Sequence, residues 1–80
     1  MENNSQKEQQ NNWAYYEMIQ TGEITCIEDV KKKIGNPFRA EFRSPETERL
    51  FFKFSKKTIL VIDYNKTNFD ILSHSLLDTY

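Results

Sequence analysis

The chain contains few of the residues that support crosslinked or loop-rich folds: one cysteine, two glycines and two prolines among 80 residues. Because Cys26 is the single cysteine, the chain can form neither an internal disulfide nor a cysteine-based zinc site. Structural disulfides are typical of oxidising compartments, so their absence here indicates a reducing one. The low glycine and proline content argues against collagen-like and loop-dominated chains. We therefore expect a cytoplasmic protein, with the nucleus as the alternative location.

Long apolar runs are also missing. None approaches the roughly 20 residues that a membrane-spanning helix needs, and the N-terminus has no apolar segment of the kind found in secretory signals. Residues 1–12 contain no apolar residue after Met1 and are rich in asparagine and glutamine. Such a segment cannot bury enough surface to offset the entropy lost on ordering. The sequence thus predicts a disordered polar tail at residues 1–12, a single small domain at residues 13–80, and no interaction with membranes.

The groups that carry most protein chemistry are scarce. His74 is the only histidine, and one imidazole without a second ligand or a fixed carboxylate gives neither a metal site nor a catalytic triad. The sequence contains no glycine-rich phosphate loop. Glu41 and Asp63 can face one another across strands, but a catalytic carboxylate pair needs a cleft that shifts its pKa values. We expect a non-enzymatic protein with no catalytic residue, no metal and no cofactor.

Three segments have features of helices. Residues 13–20 place large apolar side chains at spacings of three. Residues 25–28 (TCIE) match a capping box, and the helix that follows should end at Gly35. Residues 67–80 begin with a threonine, Thr67, suited to an N-cap and carry apolar residues at helical spacing. Those residues are Phe69, Leu72 and Leu76.

Between these helices the pattern is that of strands. Apolar and charged residues alternate along residues 38–43 and 49–54, on either side of a short polar loop. Residues 58–64 (TILVIDY) are apolar on both faces, so we expect them to be covered on both sides. The predicted fold is α+β: a three-stranded antiparallel β-meander flanked by two to three short helices, in the order α-α-β-β-β-α. The expected core is Ile27, Val30, Ile34, Phe38, Phe42, Leu50, Phe52, Phe54, Leu60, Ile62, Phe69, Leu72 and Leu76.

Charge is unevenly distributed along the chain, although the net charge is only −1. Residues 31–66 hold ten of the eleven lysines and arginines against four acidic residues, a net of +6, whereas residues 1–30 have a net charge of −5. Such a basic middle can form a surface for an acidic protein or for a polyanion. It can equally be a basic sheet that the acidic ends of the same chain cover.

Two groups of residues are candidates for binding a partner. The outward face of the predicted hairpin places basic side chains around one aromatic ring: Arg39, Arg43, Arg49, Lys53 and Phe51. The helix over residues 13–20 offers Trp13 and Tyr16, and tryptophan and tyrosine often dominate interface energies. Both groups also have a purely structural interpretation. The basic face can simply be solvated, and the aromatic helix can pack on the third strand.

We expect a small protein-binding module whose partner has an acidic or apolar surface. Adaptors, inhibitors such as those that phages encode, and accessory subunits of larger complexes are proteins of this kind. The alternative is a single-stranded nucleic-acid-binding protein that stacks a base on Phe51 and holds phosphates with the surrounding cations. A homo-oligomer is compatible with either function.

Overall fold

A computed structural model of the chain describes residues 4–78, and the side chains of residues 12–78. Two helices precede four strands: α1 (Asn4–Thr21), α2 (Ile27–Ile34), β1 (Arg39–Ser44), β2 (Thr47–Ser55), β3 (Thr58–Asn65) and β4 (Ile71–Asp78). The strands form one antiparallel sheet in the order β1-β2-β3-β4. The α+β class and the meander are confirmed. The sheet has four strands rather than three, and the order is α-α-β-β-β-β.

Helix α1 begins at Asn4 rather than near Trp13. It includes residues 4–12 of the polar segment that the sequence predicts to be a disordered tail. Disorder of this segment in solution stays a prediction. Residues 1–3 lie outside the described part of the chain. The glutamines, lysine and glutamate of this segment are good helix formers, which is compatible with an early start. The end at Thr21 agrees with the sequence, because Gly22 follows with a φ of 88°. That angle suits glycine, which has no Cβ.

Helix α2 begins at Ile27, and the expected capping box does not form. Its N-cap is Cys26, whose side chain makes no capping hydrogen bond. The segment before α2 pairs with the start of β4 instead, since the backbone N–H of Ile71 donates to the carbonyl of Thr25 at 2.8 Å. The end of α2 is as expected, because Gly35 has a φ of 116° and its N–H donates to the carbonyl of Lys31.

The helix expected over residues 67–80 is wrong, because residues 71–78 form strand β4. The side-chain oxygen of Asn65 accepts from the backbone N–H of Thr67 at 2.7 Å, and that of Asn68 accepts from the N–H of Asp70 at 2.9 Å. These local bonds favour a turn over a helix start. The chain then reverses and pairs with β3, which would otherwise be left as an unpaired edge.

Both helices pack on one face of the sheet and form the core with it. Seven expected core residues are buried there: Ile27, Val30, Leu50, Phe52, Phe54, Leu60 and Ile62. Ile34 and Leu76 are partly buried against this cluster, which also includes Ile19, Ile24 and Tyr64. Four expected core residues are exposed, namely Phe38, Phe42, Phe69 and Leu72. Phe38 precedes β1, Phe42 lies on β1, Phe69 lies in the β3–β4 connection and Leu72 is at the start of β4, and neither helix buries them.

The opposite face of the sheet, called here the outer face, has no helix on it in the described part of the chain. Alternation along β2 and β3 directs Phe51, Lys53, Ile59 and Val61 to this face, away from Phe52 and Leu60. No described helix covers this face of β3, although its residue Val61 is only 6% exposed and Ile59 is partly buried. The acidic segment of residues 12–30 lies on the helical side and does not cover the basic sheet. Neither described helix is long and apolar enough to cross a membrane.

Candidate functional site

The outer face divides into two halves along the strands. Toward the β1–β2 turn, Glu41, Arg49 and Asp63 lie side by side on three neighbouring strands. Toward the β2–β3 turn, the residues on the outer face are mostly apolar. We call the first the ion-pair half and the second the apolar half.

Hydrogen bonds fix the arginines of the ion-pair half. The guanidinium of Arg49 donates from Nε to Oδ1 of Asp63 at 2.7 Å and from a terminal nitrogen to Oδ2 at 3.1 Å. The Oε2 atom of Glu41 lies 3.1 Å from a terminal guanidinium nitrogen of Arg39, and its Oε1 atom lies 3.7 Å from one of Arg43. The hydrogen bond from Arg49 holds the pKa of Asp63 below its ordinary value, and the same bond raises the pKa of Arg49. Two carboxylates thus compensate three arginines.

These ion pairs compensate part of the positive charge of the basic face. The expected facing pair of Glu41 and Asp63 is interrupted by Arg49, so the two carboxylates do not form an acid–base couple. The bidentate pair with Asp63 uses two of the five N–H donors of Arg49 and compensates its charge. Arg49 is therefore held in place and contributes less positive charge toward a phosphate or a partner's carboxylate than a free arginine would.

The apolar half is built around Phe51 and Val61, which are directly paired across β2 and β3. Val61 is only 6% exposed, although it lies outside the helix-facing core, so neighbouring side chains of the outer face shield it. The ring of Phe38 lies 6.4 Å from that of Phe51. Ile59 lies two residues closer to the β2–β3 turn than Val61 and pairs with Leu77 on β4. Together these five residues form an apolar area across β2, β3 and β4 and the residue that precedes β1.

The edge of the apolar half carries cations. The guanidinium of Arg39 lies over the ring of Phe51, 5.2 Å from its centroid. Lys53 and Lys56 line a groove of about 420 Å³ at the β2–β3 turn. The remaining walls of the groove are Phe38, Ser55, Thr58 and Ile59. The site is therefore an apolar surface that ends in a groove with two ammonium groups.

The aromatic helix lies on the other side of the sheet. Trp13 packs edge-on against Phe54 with ring centroids 5.0 Å apart, but 55% of it remains exposed. Tyr16 contacts Phe54 and also His74, whose Nδ1 lies 3.3 Å from the tyrosine hydroxyl. Tyr16 and His74 thus have structural contacts. Trp13 and Phe51 are on opposite faces, so one flat interface cannot include both.

The structure brings together only part of the expected site. Phe51 and Lys53 lie in the apolar half, Arg39 lies at its border, and Arg43 and Arg49 belong to the ion-pair half. The sequence analysis missed four further residues of the apolar half: Phe38, Ile59, Val61 and Leu77. The available signal was the two-sided apolar character of TILVIDY, which showed that one face of β3 would need a cover beyond the helices.

Two further observations concern chemistry among the described residues. They contain no group of three or more histidine, cysteine, aspartate and glutamate side chains that could hold a metal ion. Cys26 is a half-buried free thiol. The outer face is therefore a surface with a groove at the β2–β3 turn, rather than a cleft with converging polar groups.

Comparison with models of protein families, with curated proteins and with solved structures finds no match for this chain. The function therefore has to be argued from the geometry and charge of the outer face.

Proposed function

We propose that the protein is a non-enzymatic protein-binding module that docks its partner on the apolar half of the outer face. The observation that carries this proposal is the apolar area around Phe51 on a face that no described helix covers, in which Phe38 and Leu77 are about half exposed. A sheet face of this kind is a common docking site, because covering it removes apolar surface from water. Adaptors, inhibitors and accessory subunits act in this way, and the single free cysteine is compatible with action in the cytoplasm.

The charges favour a partner with an apolar centre and an acidic border. The outer face carries Arg39, Arg43, Arg49 and Lys53 against Glu41 and Asp63, which leaves it net positive. Positive charge attracts an acidic partner and speeds its encounter. Two copies of the chain that met through this face would bring like charges together, which favours a different protein over a second copy.

Single-stranded nucleic acid fits the same face less well. Arg39 already occupies one side of the Phe51 ring, where a base would stack. The charge of Arg49 is compensated by the bidentate pair with Asp63, which weakens its attraction for phosphate. Sheets that bind RNA usually stack two or three bases on aromatic rings. Here Phe51 is the one ring that a strand places on the outer face within residues 12–78.

The test is capture of the partner by the whole chain and by two phenylalanine variants, from lysate of the source cells treated with nuclease. Phe51→Ala removes the centre of the apolar half. Phe42→Ala is the control, because Phe42 is also a β-strand phenylalanine but is 71% exposed and lies on the opposite face, whereas Phe51 is half-buried. Trp13→Ala tests the aromatic helix in the same experiment.

We expect a partner that resists nuclease, forms a stoichiometric complex with the purified chain, and loses affinity at least tenfold with Phe51→Ala, as at interface hot spots. Phe42→Ala and Trp13→Ala should leave the affinity unchanged. Loss of binding with Trp13→Ala alone would move the interface to α1. Material that disappears on nuclease treatment, with affinity that falls steeply with salt, would identify nucleic acid as the ligand.

A further inference from the structure

The groove at the β2–β3 turn owes its form to an irregularity in the sheet. Between Lys53 and Ser55 the register of β2 shifts by one residue, so that Lys53 pairs with Ile59 and Ser55 pairs with Thr58. Bulges of this kind bend a strand and redirect its side chains. Here all four of these residues line the same groove, with Lys56 of the turn beside them.

The lining combines two chemistries. Phe38 and Ile59 supply apolar walls, whereas the ammonium groups of Lys53 and Lys56 supply positive charge. Among the side chains of residues 12–78, neither lysine has a carboxylate within salt-bridge distance. A concave site with apolar walls and a few polar groups is the usual form of a ligand site. The volume of about 420 Å³ is sufficient for one or two amino-acid side chains.

We propose that this groove receives an aspartate or glutamate side chain of the docked partner, next to an apolar side chain that packs on Phe38 and Ile59. The inference rests on the proposed docking function and adds a chemical requirement for the partner's sequence. We assign a carboxylate because the partner proposed above is a protein, whose unmodified anionic side chains are aspartate and glutamate, and because two lysine ammonium groups line the groove as point charges.

The turn offers a matched pair of variants for the test. Lys56 lines the groove, whereas its neighbour Lys57 does not, although both are exposed turn residues of the same charge. We would titrate the isotope-labelled whole chain with N-acetyl-Glu-Leu-amide and record amide chemical shifts by NMR. The neutral analogue N-acetyl-Gln-Leu-amide and phenyl phosphate are the comparison probes.

We expect the glutamate probe to shift the amides of Lys53, Lys56 and Ile59 with a dissociation constant in the roughly millimolar range. The glutamine probe should bind more weakly. Lys56→Gln should weaken the glutamate probe about two- to fivefold, as is typical of one exposed ion pair. Lys57→Gln should leave binding unchanged, and well-dispersed spectra of both variants would show that they are folded.

Three results would overturn the subsite: equal binding of the glutamate and glutamine probes, equal effects of Lys56→Gln and Lys57→Gln, or tighter binding of phenyl phosphate. The partner assay separates this proposal from the docking proposal. If Phe51→Ala abolishes capture of the partner while Lys56→Gln changes the affinity for neither the glutamate probe nor the partner, the subsite proposal is wrong and the docking proposal stands. If Lys56→Gln weakens the probe while Phe51→Ala leaves capture intact, the docking face is wrong.

Discussion

Phe69 has an unusual backbone conformation for a bulky residue. Its φ is 67°, in the left-handed region that costs an L-residue other than glycine roughly 1–2 kcal/mol. Two backbone contacts hold it there. Its N–H donates to the carbonyl of Asn65 at 2.7 Å, and its carbonyl accepts from the N–H of Ile27 at 2.9 Å. Its ring also stacks on Tyr64, with centroids 6.4 Å apart. Phe69 thus joins the β3–β4 connection to the start of α2.

The conformation of Phe69 predicts that glycine at this position gives a more stable protein than alanine, which reverses the usual order. Both Phe69→Ala and Phe69→Gly lose the ring contact with Tyr64, but only glycine removes the strain. We expect Phe69→Gly to be more stable than Phe69→Ala by about 1 kcal/mol, although glycine has the more flexible unfolded chain. Urea denaturation of both variants measures the difference. An alanine variant that is the more stable of the two would show that φ is negative at this position in solution.

Tyr64 predicts how stability depends on alkaline pH. Burial, followed by the hydrogen bond that its hydroxyl donates to Glu48 at 2.6 Å, raises its pKa from 10.0 to about 12. Since the folded pKa exceeds the unfolded one, this contribution to stability is fully present below about pH 10 and is lost as the pH rises toward 12. Tyr64→Phe should remove that part of the alkaline loss. Subtracting the variant's phenolate absorbance titration from that of the parent chain gives the Tyr64 curve, and a midpoint at the ordinary value of 10.0 would contradict the assignment.

At the scale of elements, β4 shows where sequence reasoning fails. Phe69, Leu72 and Leu76 are three and four residues apart, which fits one face of a helix, while Leu72, His74 and Leu76 alternate as in a strand. The turn that Asn65 and Asn68 form decides between the two. A count of hydrophobic periodicity includes neither these local side-chain-to-backbone hydrogen bonds nor the pairing of β4 with β3, which depends on the tertiary structure.

The strand assignment of β4 has a direct test in two leucines. On a helix, Leu72 and Leu76 would share the buried face, so alanine at either position should be costly. On strand β4, Leu76 packs against the core, whereas Leu72 is 55% exposed. We expect Leu76→Ala to lower the free energy of unfolding by about 2 kcal/mol and Leu72→Ala by less than about 0.5 kcal/mol. Equal losses in urea denaturation would favour the helix.

The other elements and part of the site could be predicted because their signals are local. Alternation over residues 38–64 gave β1, β2 and β3, and Gly22 and Gly35 marked the helix ends. The same alternation directed Phe51 and Lys53 outward. It could not show which face of β3 the helices would take, so Ile59 and Val61 were not recognised as part of the site. That choice depends on packing between distant segments.

The whole molecule is a two-layer structure in which one sheet serves two purposes. The face with Phe52 and Leu60 forms the core under both helices, and no described helix packs on the face with Phe51. Adjacent residues of β2 therefore have different roles. Stability should reside on one side of the sheet and recognition on the other.

This division predicts different outcomes for two neighbouring phenylalanines. Phe52 is fully buried, so Phe52→Ala should cost about 3–5 kcal/mol of unfolding free energy. Phe51 is only half-buried, and Phe51→Ala should cost about 1 kcal/mol while it abolishes capture of the partner. Thermal or urea unfolding gives the first quantity, and the capture assay gives the second. A similar loss of stability for both variants would mean that Phe51 belongs to the core.

The meander also sets the order in which these surfaces can arise during folding. Strands β2 and β3 are joined by the two residues Lys56 and Lys57, and a hairpin with so short a connection closes in roughly 1–10 μs. In that hairpin Phe51 meets Val61 at the same moment as Phe52 meets Leu60. The centre of the recognition surface therefore belongs to the same hairpin as the centre of the core. A partner that docks there would contact Phe51 and Val61, whose pairing depends on the β2–β3 hairpin alone and not on the two helices.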